Sequence, residues 1–291
     1  MKIKRLESGE SLSLKNDGEL QVFFLGVGSA FAQKNFQLNF LLIKGDTHIL
    51  VDFGMTGPQA LASTARLRPT DIEVILPTHS HADHIGGIEC LGLMNRYVGQ
   101  RVLGKDKLKM IIVEYYQRVL WDNSLRGGME WNEKDKNTAQ KLSFSDFFDV
   151  VRPKWKQHSP REKYEIEFGG IKLELFRTNH IPEQASSWEA SFISYGMFVD
   201  DHVFISCDSK FDIELIADYA DRSSVMFHDV QFFPGAVHAS LDELKTLPED
   251  IKSKMYLMHY GDNYEEQDIT GFAGFAEQGV IYEVKGNQNE Y

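Results

Sequence analysis

The chain has 291 residues, 42% of them hydrophobic, and carries a formal net charge of −12. That length allows one large domain with a sizeable core, while the acidic balance argues against the broad basic face that a nucleic-acid partner requires. There is no apolar run near the ~18 residues of a membrane span, no signal-peptide pattern and no disulfide framework, so we expect a cytoplasmic protein that forms a single domain over residues 1–291 without membrane association.

Strands joined by tight turns dominate the first third of the sequence. Apolar runs on either side of the Asn-Asp-Gly turn at 16–18 predict a hairpin over residues 11–26, and a second pair, which turns at Gly45-Asp46, predicts another over 38–54. The elements predicted next are a helix at 57–67, a buried strand at 71–78 and a helix at 86–99.

Residues 105–160 differ in character from the strands around them. The segment 108–123 has the spacing of an amphipathic helix, and the polar segment 124–141 after it predicts a loop. We interpret 105–160 as a partly helical insertion within the domain, which either covers the domain as a lid or forms a dimer contact.

The last part of the chain returns to strands. Hairpins are predicted over 164–178 and 190–208, where glycine or aspartate pairs interrupt the apolar runs. The remaining predicted elements are helices at 211–220, 240–247 and 268–278, alternating with strands at 223–227, 254–260 and 280–285. Two strand-rich halves with helices predict two sheets packed face to face with helices outside.

A short histidine-rich motif follows the predicted strand at 71–78. Its sequence H-x-H-x-D-H contains His79, His81, Asp83 and His84. Nitrogen and carboxylate ligands without thiolates suit zinc, or manganese or iron. Three further metal-capable residues also end predicted strands, namely His180, Asp208 and His259. One edge of the sheets is therefore expected to gather all of these side chains.

This set and order of residues resembles the metallo-β-lactamase superfamily, and the resemblance covers the chain except for residues 105–160. It implies an α+β fold, a four-layer αββα sandwich that carries the insertion. It also implies two divalent metal ions, for which zinc is expected and manganese or iron are alternatives. The ligands implied are His79, His81 and His180 for the first ion, Asp83, His84 and His259 for the second, and Asp208 as a bridge between both.

Other segments resemble one branch of the superfamily, that of tRNase Z and the cyclic-nucleotide phosphodiesterases. FLGVGSAF is similar to its glycine-rich start (F-L-G-T-G-S), VMFHDVQFF to its H-E-A-T segment, and VHAS to its H-S-T segment. By this resemblance His238 would protonate the leaving oxygen, Asp229 would steady it, and Asp83 would take part in catalysis as well as in metal binding. Asp52 would orient a ligand histidine, and His228 would be a hydrogen-bonding residue behind the site.

The expected reaction is hydrolysis of a phosphodiester. It needs a nucleophile, neutralisation of the non-bridging oxygens and an acid for the leaving alkoxide; two metal ions supply the first two and a histidine the third. The chain lacks the threonines of both short segments, and Asp229 replaces a longer glutamate. It also lacks the Gly/Pro-rich basic arm of tRNase Z. We therefore expect a small anionic phosphodiester such as a cyclic nucleotide rather than RNA, and, by resemblance, a homodimer.

Three alternatives stay open at this point. One is a tRNA 3′-processing endoribonuclease. Another is a carboxyl-ester, thioester or lactone hydrolase on the same metal site, which would not need Asp229 and His238. The third is an iron oxidoreductase on the same fold; such relatives prefer glutamate in place of the second histidine, and His81 argues against it.

Overall fold

Two eight-stranded sheets form the centre of the protein. The computed structural model describes residues 1–7, 9–134 and 139–286. In spatial order, the first sheet contains β1 (Lys2–Arg5), β16 (Val280–Val284), β2 (Leu20–Gly26), β3 (Asn39–Lys44), β4 (Thr47–Val51), β5 (Val74–Leu76), β6 (Leu108–Ile111) and β7 (Phe148–Val151). The second contains β15 (Gly274–Phe275), β14 (Met255–Met258), β13 (Val225–Asp229), β12 (Val203–Ile205), β11 (Tyr195–Val199), β10 (Ile171–Arg177), β9 (Lys163–Phe168) and β8 (Lys154–Trp155).

The helices are short. Within the described ranges the α-helices are α1 (Gly57–Thr64), α2 (Ala82–Ile85), α3 (Ile88–Met94), α4 (Glu114–Leu120), α5 (Arg126–Met129), α6 (Phe144–Phe147), α7 (Ile213–Ala220), α8 (Leu241–Lys245) and α9 (Glu249–Lys252). Turns of π-helix extend two of them at Asn95–Gln100 and Trp121–Leu125, and 3₁₀ turns lie at Pro69–Asp71, Glu130–Asn132 and Tyr264–Glu266. In this part of the chain, no helix combines the length and apolar character needed to cross a bilayer.

Aromatic side chains join the two sheets into one core. The ring of Phe227 on β13 lies 5.1 Å from that of Phe24 on β2 and 5.2 Å from that of Tyr282 on β16. On the outer face of the second sheet, Tyr219 of α7 packs 4.9 Å from both Phe176 and Phe198. The central strands are buried on both faces, as expected for sheets covered by helices on the outside. The predicted α+β sandwich is confirmed.

The predicted hairpin over 11–26 is wrong in its first half. Residues 11–15 form no strand, and β2 pairs with β3 and β16 instead. The reason lies in Asn16, whose amide group donates to the carbonyls of Glu19 and Ile43 and accepts from the backbone amides of Gly18 and Gly45. The side chain thus ties this segment to the β3–β4 turn as a loop.

The predicted helix over 268–278 is also wrong. Gly271 and Gly274 have φ values of +93° and +146°, which a helix cannot include. The strand β15 in this segment pairs with β14, with Tyr256 opposite Gly274. Backbone freedom at the two glycines thus outweighs the apolar spacing of the segment.

Residues 105–160 contain sheet strands as well as helices. The predicted helix over 108–123 is wrong for its first four residues, which form β6 between β5 and β7; a short apolar run does not distinguish a buried strand from a helix. The predicted loop 124–141 begins with helical turns, and its residues 135–138 lie outside the described residues. Since β6, β7 and β8 belong to the sheets, the helices between β6 and β7 are what remains as a candidate insertion, and its role as lid or dimer contact stays a prediction.

Candidate metal centre

The donor side chains lie at or after the carboxyl ends of strands that meet at one edge of the sandwich. β4 and β5 run parallel in the first sheet, and β12, β13 and β14 run parallel in the second. β10 has the direction of β12 because both pair antiparallel with β11. These strand ends carry Asp52, the loop 79–84, His180, Asp208, Asp229 and His259. Strand direction therefore brings distant segments to one edge, where α/β proteins commonly bind ligands.

Three of these strand ends have a left-handed backbone. The φ angle is +58° at Asp52, +47° at Cys207 and +58° at His259. Such conformations cost non-glycine residues on the order of 1–3 kcal/mol and cluster at functional sites. Local strain in this fold therefore coincides with the edge that carries the donors.

Three histidines and one aspartate form the first donor cluster. His81 Nδ1 lies 3.0 Å from His79 Nε2 and 3.1 Å from His180 Nε2. Asp208 Oδ2 lies 3.7 Å from His79 Nε2 and 3.6 Å from His180 Nε2. Because two ligands of a tetrahedral zinc ion are roughly 3.3 Å apart, these four atoms have the spacing of a metal site.

The second cluster consists of two aspartates and two histidines. Asp83 Oδ2 lies 3.3 Å from the Nε2 atoms of both His84 and His259. Asp208 Oδ2 is 3.3 Å from His84 Nε2 and 3.6 Å from His259 Nε2. Asp208 thus belongs to both clusters, within each of which the donor atoms lie within 4.8 Å of one another.

Buried atoms without partners show that the clusters fit a cation. Within the part of the chain that the structure describes, both Asp208 carboxylate oxygens and His84 Nε2 are buried without a hydrogen bond, an arrangement that is costly unless another group satisfies it. Burial alone would raise the pKa of the Asp208 carboxyl, but His259 and the other histidines around it hold that pKa well below its usual range. An ionised carboxylate among imidazole nitrogens is a ligand set that suits zinc, manganese or iron.

Hydrogen bonds behind the clusters set the orientation of the rings. Asp52 Oδ2 accepts from His84 Nδ1 at 2.8 Å and from the Thr78 hydroxyl at 2.7 Å, while Asp52 Oδ1 accepts from the Thr78 backbone amide. Because the hydroxyl gives its proton to Asp52, His79 Nδ1 must donate to Thr78 Oγ1 at 3.1 Å. His180 Nδ1 donates to the Val237 carbonyl at 2.8 Å. The Nε2 lone pairs of all three histidines therefore point away from these partners and toward the clusters.

His238 lies beside both clusters. Its ring centroid is 5.0 Å from that of His180 and 4.8 Å from that of His259, and 19% of its side chain is exposed. His238 Nδ1 donates to Asp229 Oδ2 at 2.8 Å, and the same oxygen accepts from the Ser209 amide at 3.0 Å. The aspartate thus reaches His238 although it is shorter than glutamate. This bond occupies Nδ1 and leaves Nε2 available for a substrate.

Comparison with known proteins assigns the chain to a family. Residues 20–282 match the family model described as anti-Pycsar protein Apyc1. The anti-Pycsar protein Apyc1 of Bacillus phage BSP38 is 38% identical over 265 residues, which cover 90% of this chain and 97% of that protein. The chain belongs to the anti-Pycsar Apyc1 family.

Solved structures show that this Apyc1-family chain has the metallo-β-lactamase fold. YhfI from Bacillus subtilis, a metallo-β-lactamase fold protein, is 17% identical with a TM-score of 0.66, over 91% of this chain and all of that one (100%). Human tRNase Z, short form, is 15% identical with a TM-score of 0.60, over 90% and 98% of the two chains. The metallo-β-lactamase fold that the sequence resemblance implied is confirmed. Family, fold and donor clusters together support the prediction of a metal-dependent hydrolase.

The structure of this Apyc1-family protein brings together every side chain that the sequence predicted as a ligand. His79, His81 and His180 fall in the first cluster, Asp83, His84 and His259 in the second, and Asp208 in both. Asp52 contacts a ligand histidine as predicted, and the buried His228 donates from Nδ1 to the Asp229 carbonyl at 2.8 Å. The chemical roles of these residues stay predictions.

Sequence reasoning missed several residues that position the site. Thr78 links Asp52 to His79, and its place directly before the histidine motif was the available signal. A side chain at Gly54 would have its Cβ 1.8 Å from the carbonyl oxygen of Asp83, so this close approach requires glycine. The glycine-rich segment 24–31 binds the chain just after β14, where the Tyr260 amide donates to the Val27 carbonyl. Its role in the structure is therefore to hold the strand end that carries His259.

Proposed function

We propose that this protein is a di-metal phosphodiesterase that hydrolyses a small cyclic nucleotide. The observation that carries the proposal is the arrangement of two donor clusters that share Asp208, with the Asp229–His238 pair beside them. A metal site for hydrolysis in general needs only the clusters. A reaction with a poor leaving group also needs an acid, and the pair supplies one.

The chain would hold one ion with His79, His81 and His180 and the other with Asp83, His84 and His259, with Asp208 shared. Bound divalent ions would activate a water molecule for attack on phosphorus and offset the charge on the non-bridging oxygens. We expect zinc, because the donors are mainly imidazole nitrogens, with manganese or iron as alternatives. Asp83 of the second cluster is also proposed to orient the attacking water.

His238 is proposed to protonate the leaving oxygen from Nε2. Burial opposes the charged ring, yet the hydrogen bond to Asp229 and the nearby Asp208 carboxylate raise the pKa of His238 above its ordinary value. Both carboxylates thus favour the protonated ring. Asp229 stabilises that form and fixes the ring, so a proton can pass to an alkoxide that would otherwise leave slowly.

Three observations support a small cyclic nucleotide as the substrate. Three segments of the sequence resemble the branch that includes the cyclic-nucleotide phosphodiesterases. The net charge of −12 argues against a long nucleic acid, because no counterion release on a broad basic surface is available to it. The sequence also lacks the basic arm of tRNase Z. A single phosphate, in contrast, needs only the local charge of bound ions.

A substrate panel tests this function. The metal-loaded protein would be offered 3′,5′-cyclic nucleotides with each base, bis-p-nitrophenyl phosphate, a precursor transfer RNA, a thioester and a lactone. We expect turnover of cyclic nucleotides to linear monophosphates, and none by an Asp208→Asn variant purified in parallel as a control for contaminating enzymes. Turnover of only the carbon esters, or of only the transfer RNA, would contradict the proposal.

Metal content and assembly are tested on the same preparation. We expect two equivalents of metal per chain in the active protein, and one equivalent or none would rule out the two-ion site. We also expect a homodimer, with the helices between β6 and β7 as its candidate contact; light scattering that gives the mass of one chain would reject it.

A further inference from the structure

A closed loop follows the ligand candidate His180 directly. It runs from Ile181 to Phe192, where the Phe192 amide donates to the Ile181 carbonyl at 2.7 Å. Compact surface loops whose ends meet in this way are frequently functional. Since the loop starts one residue after His180, it borders the first donor cluster. We call residues 181–192 the His180 loop.

One lysine holds the first half of the His180 loop. Lys210 Nζ donates to the carbonyls of Pro182, Glu183 and Ala185 at 3.0, 2.7 and 2.8 Å. An ammonium group has three donors, so its capacity is fully used on this backbone. The Lys210 amide also donates to the Asn179 carbonyl at 2.6 Å, and Lys210 itself lies two residues after Asp208.

A buried arginine holds the second half. Arg177 Nη2 lies 3.2, 2.8 and 3.3 Å from the carbonyl oxygens of Trp188, Ser191 and Phe192 and donates to them. Its Nη1 donates to Glu162 at 3.1 Å, which fixes the guanidinium from the other side. Arg177 precedes His180 by three residues on the same strand end. Each end of the His180 loop is therefore held by a cation that neighbours a donor residue in the chain.

We infer that Lys210 is a positioning residue that fixes the His180 loop as a preformed wall of the substrate site, together with Arg177. Loop carbonyls at a surface are ordinarily satisfied by water, which leaves the loop free to move. Here two cations bind three carbonyls each, and hydrogen bonds to charged groups are stronger than neutral ones. A wall that is already ordered lowers the entropy lost when a nucleotide binds. The inference rests on the proposed function for its kinetic readout only.

The test compares Lys210→Met with a matched control on the metal-loaded, full-length protein. The control is Lys172→Met, which removes an ammonium at the far end of β10, where the Lys172 side chain is 62% exposed. Glu183 and Glu189 are exposed in the loop, so a glutamyl endopeptidase reports how often it opens. We expect cleavage there to be at least about fivefold faster in Lys210→Met, the scale of losing hydrogen bonds to a charged group, and unchanged in Lys172→Met.

Kinetics on a cyclic nucleotide distinguish positioning from a general structural effect. We expect KM to rise about five- to tenfold in Lys210→Met with kcat within about twofold, since binding is lost and the reacting groups are not. Lys210→Arg should restore part of the KM and of the protease resistance, because it keeps the charge but not the compact three-donor head. Thermal melting of each variant checks that the fold is intact.

Two results would overturn the inference. One is wild-type protease resistance and KM in Lys210→Met. The other is a fall in kcat and metal content at unchanged KM, which would make Lys210 a support of the metal centre instead of the loop. The proteolysis assay needs no nucleotide, so it is independent of the proposed function. If the protein has no phosphodiesterase activity but Lys210 still protects the His180 loop from cleavage, the proposed function is rejected and the structural part of the inference stands. If Lys210→Met fails to fold, Lys210→Gln takes its place.

Discussion

The two sheets contribute to the donor clusters in different ways. The first sheet supplies four donors from one loop of six residues after β5, whereas the second supplies single donors from the ends of three strands. Donors on one loop keep their spacing whatever the distance between the sheets. His180, Asp208 and His259 reach the site only if the second sheet is in register and packed on the first. One side of the site thus depends on local sequence and the other on the whole sandwich.

The largest expected effect is at the point where both sides meet. Replacing Asp208 by Asn keeps the shape but removes the charge common to both clusters, so we expect loss of bound metal and a fall in kcat/KM of at least about 10³-fold, since the ions contribute several kcal/mol to the transition state. Metal analysis and kinetics measure both. Asp201→Asn, with its side chain 66% exposed, is the control. Full metal content in Asp208→Asn would show that Asp208 is not a ligand common to the two clusters.

His238 tests whether the second sheet contributes chemistry in addition to ligands. We expect His238→Ala to lose about 10²–10⁴-fold on a cyclic nucleotide, whose alkoxide needs a proton, and less than about tenfold on bis-p-nitrophenyl phosphate, whose p-nitrophenolate does not. The ratio of kcat values on the two substrates is the measurement. Equal losses on both would remove the acid role and leave His238 as a structural neighbour of the clusters.

Asp52 tests how the donors that follow β5 of the first sheet are oriented. Through His84 and Thr78 it orients two donors of the same loop. We expect Asp52→Asn to weaken metal binding by about 10–100-fold, the usual effect of losing such a partner. Titration against a competing chelator measures it. An unchanged affinity would mean that the loop orients its histidines without support.

The smallest expected effect concerns the contact between the histidine-rich segment 79–84 and residues 105–160. The Ser80 hydroxyl, between two donors, donates to the buried Tyr116 hydroxyl at 3.3 Å. Tyr116→Phe should lower the free energy of unfolding by about 1 kcal/mol and change kcat/KM by less than about fivefold, since one neutral hydrogen bond is lost. Chemical denaturation and kinetics check this. A loss above about tenfold would show that α4 takes part in the site directly.

The difference between donors set by local sequence and donors set by sheet packing also explains what the sequence could predict. The loop 79–84 is recognisable because its spacing is a local property. His180, Asp208 and His259 were found because each ends an apolar run, and parallel strands bring such ends together. The hairpins over 38–54 and 164–178 were found for a similar reason, since a clear turn separates two apolar runs of strand length.

The features that the sequence did not predict are those set by the group with which a residue pairs in the folded chain. The segment Leu108–Ile111 has helical spacing in the sequence, and only its pairing with β5 and β7 makes it the strand β6. The side chains of Asn16 and Lys210 bind backbone groups, and such partners leave no pattern in the sequence. Lys210 in particular binds carbonyl oxygens that every residue possesses, so only coordinates reveal it.

The left-handed strand ends have a consequence for how the protein acquires its ions. At Asp52 and His259 the unfavourable backbone angles are imposed when the sheets form. The donors are thus oriented when the chain folds, and a metal ion would bind to side chains that already face the site. Ions bound there would add their binding free energy to the stability of the folded chain. We therefore expect the stability of the whole chain to depend on metal supply, even though the donors lie at one edge of it.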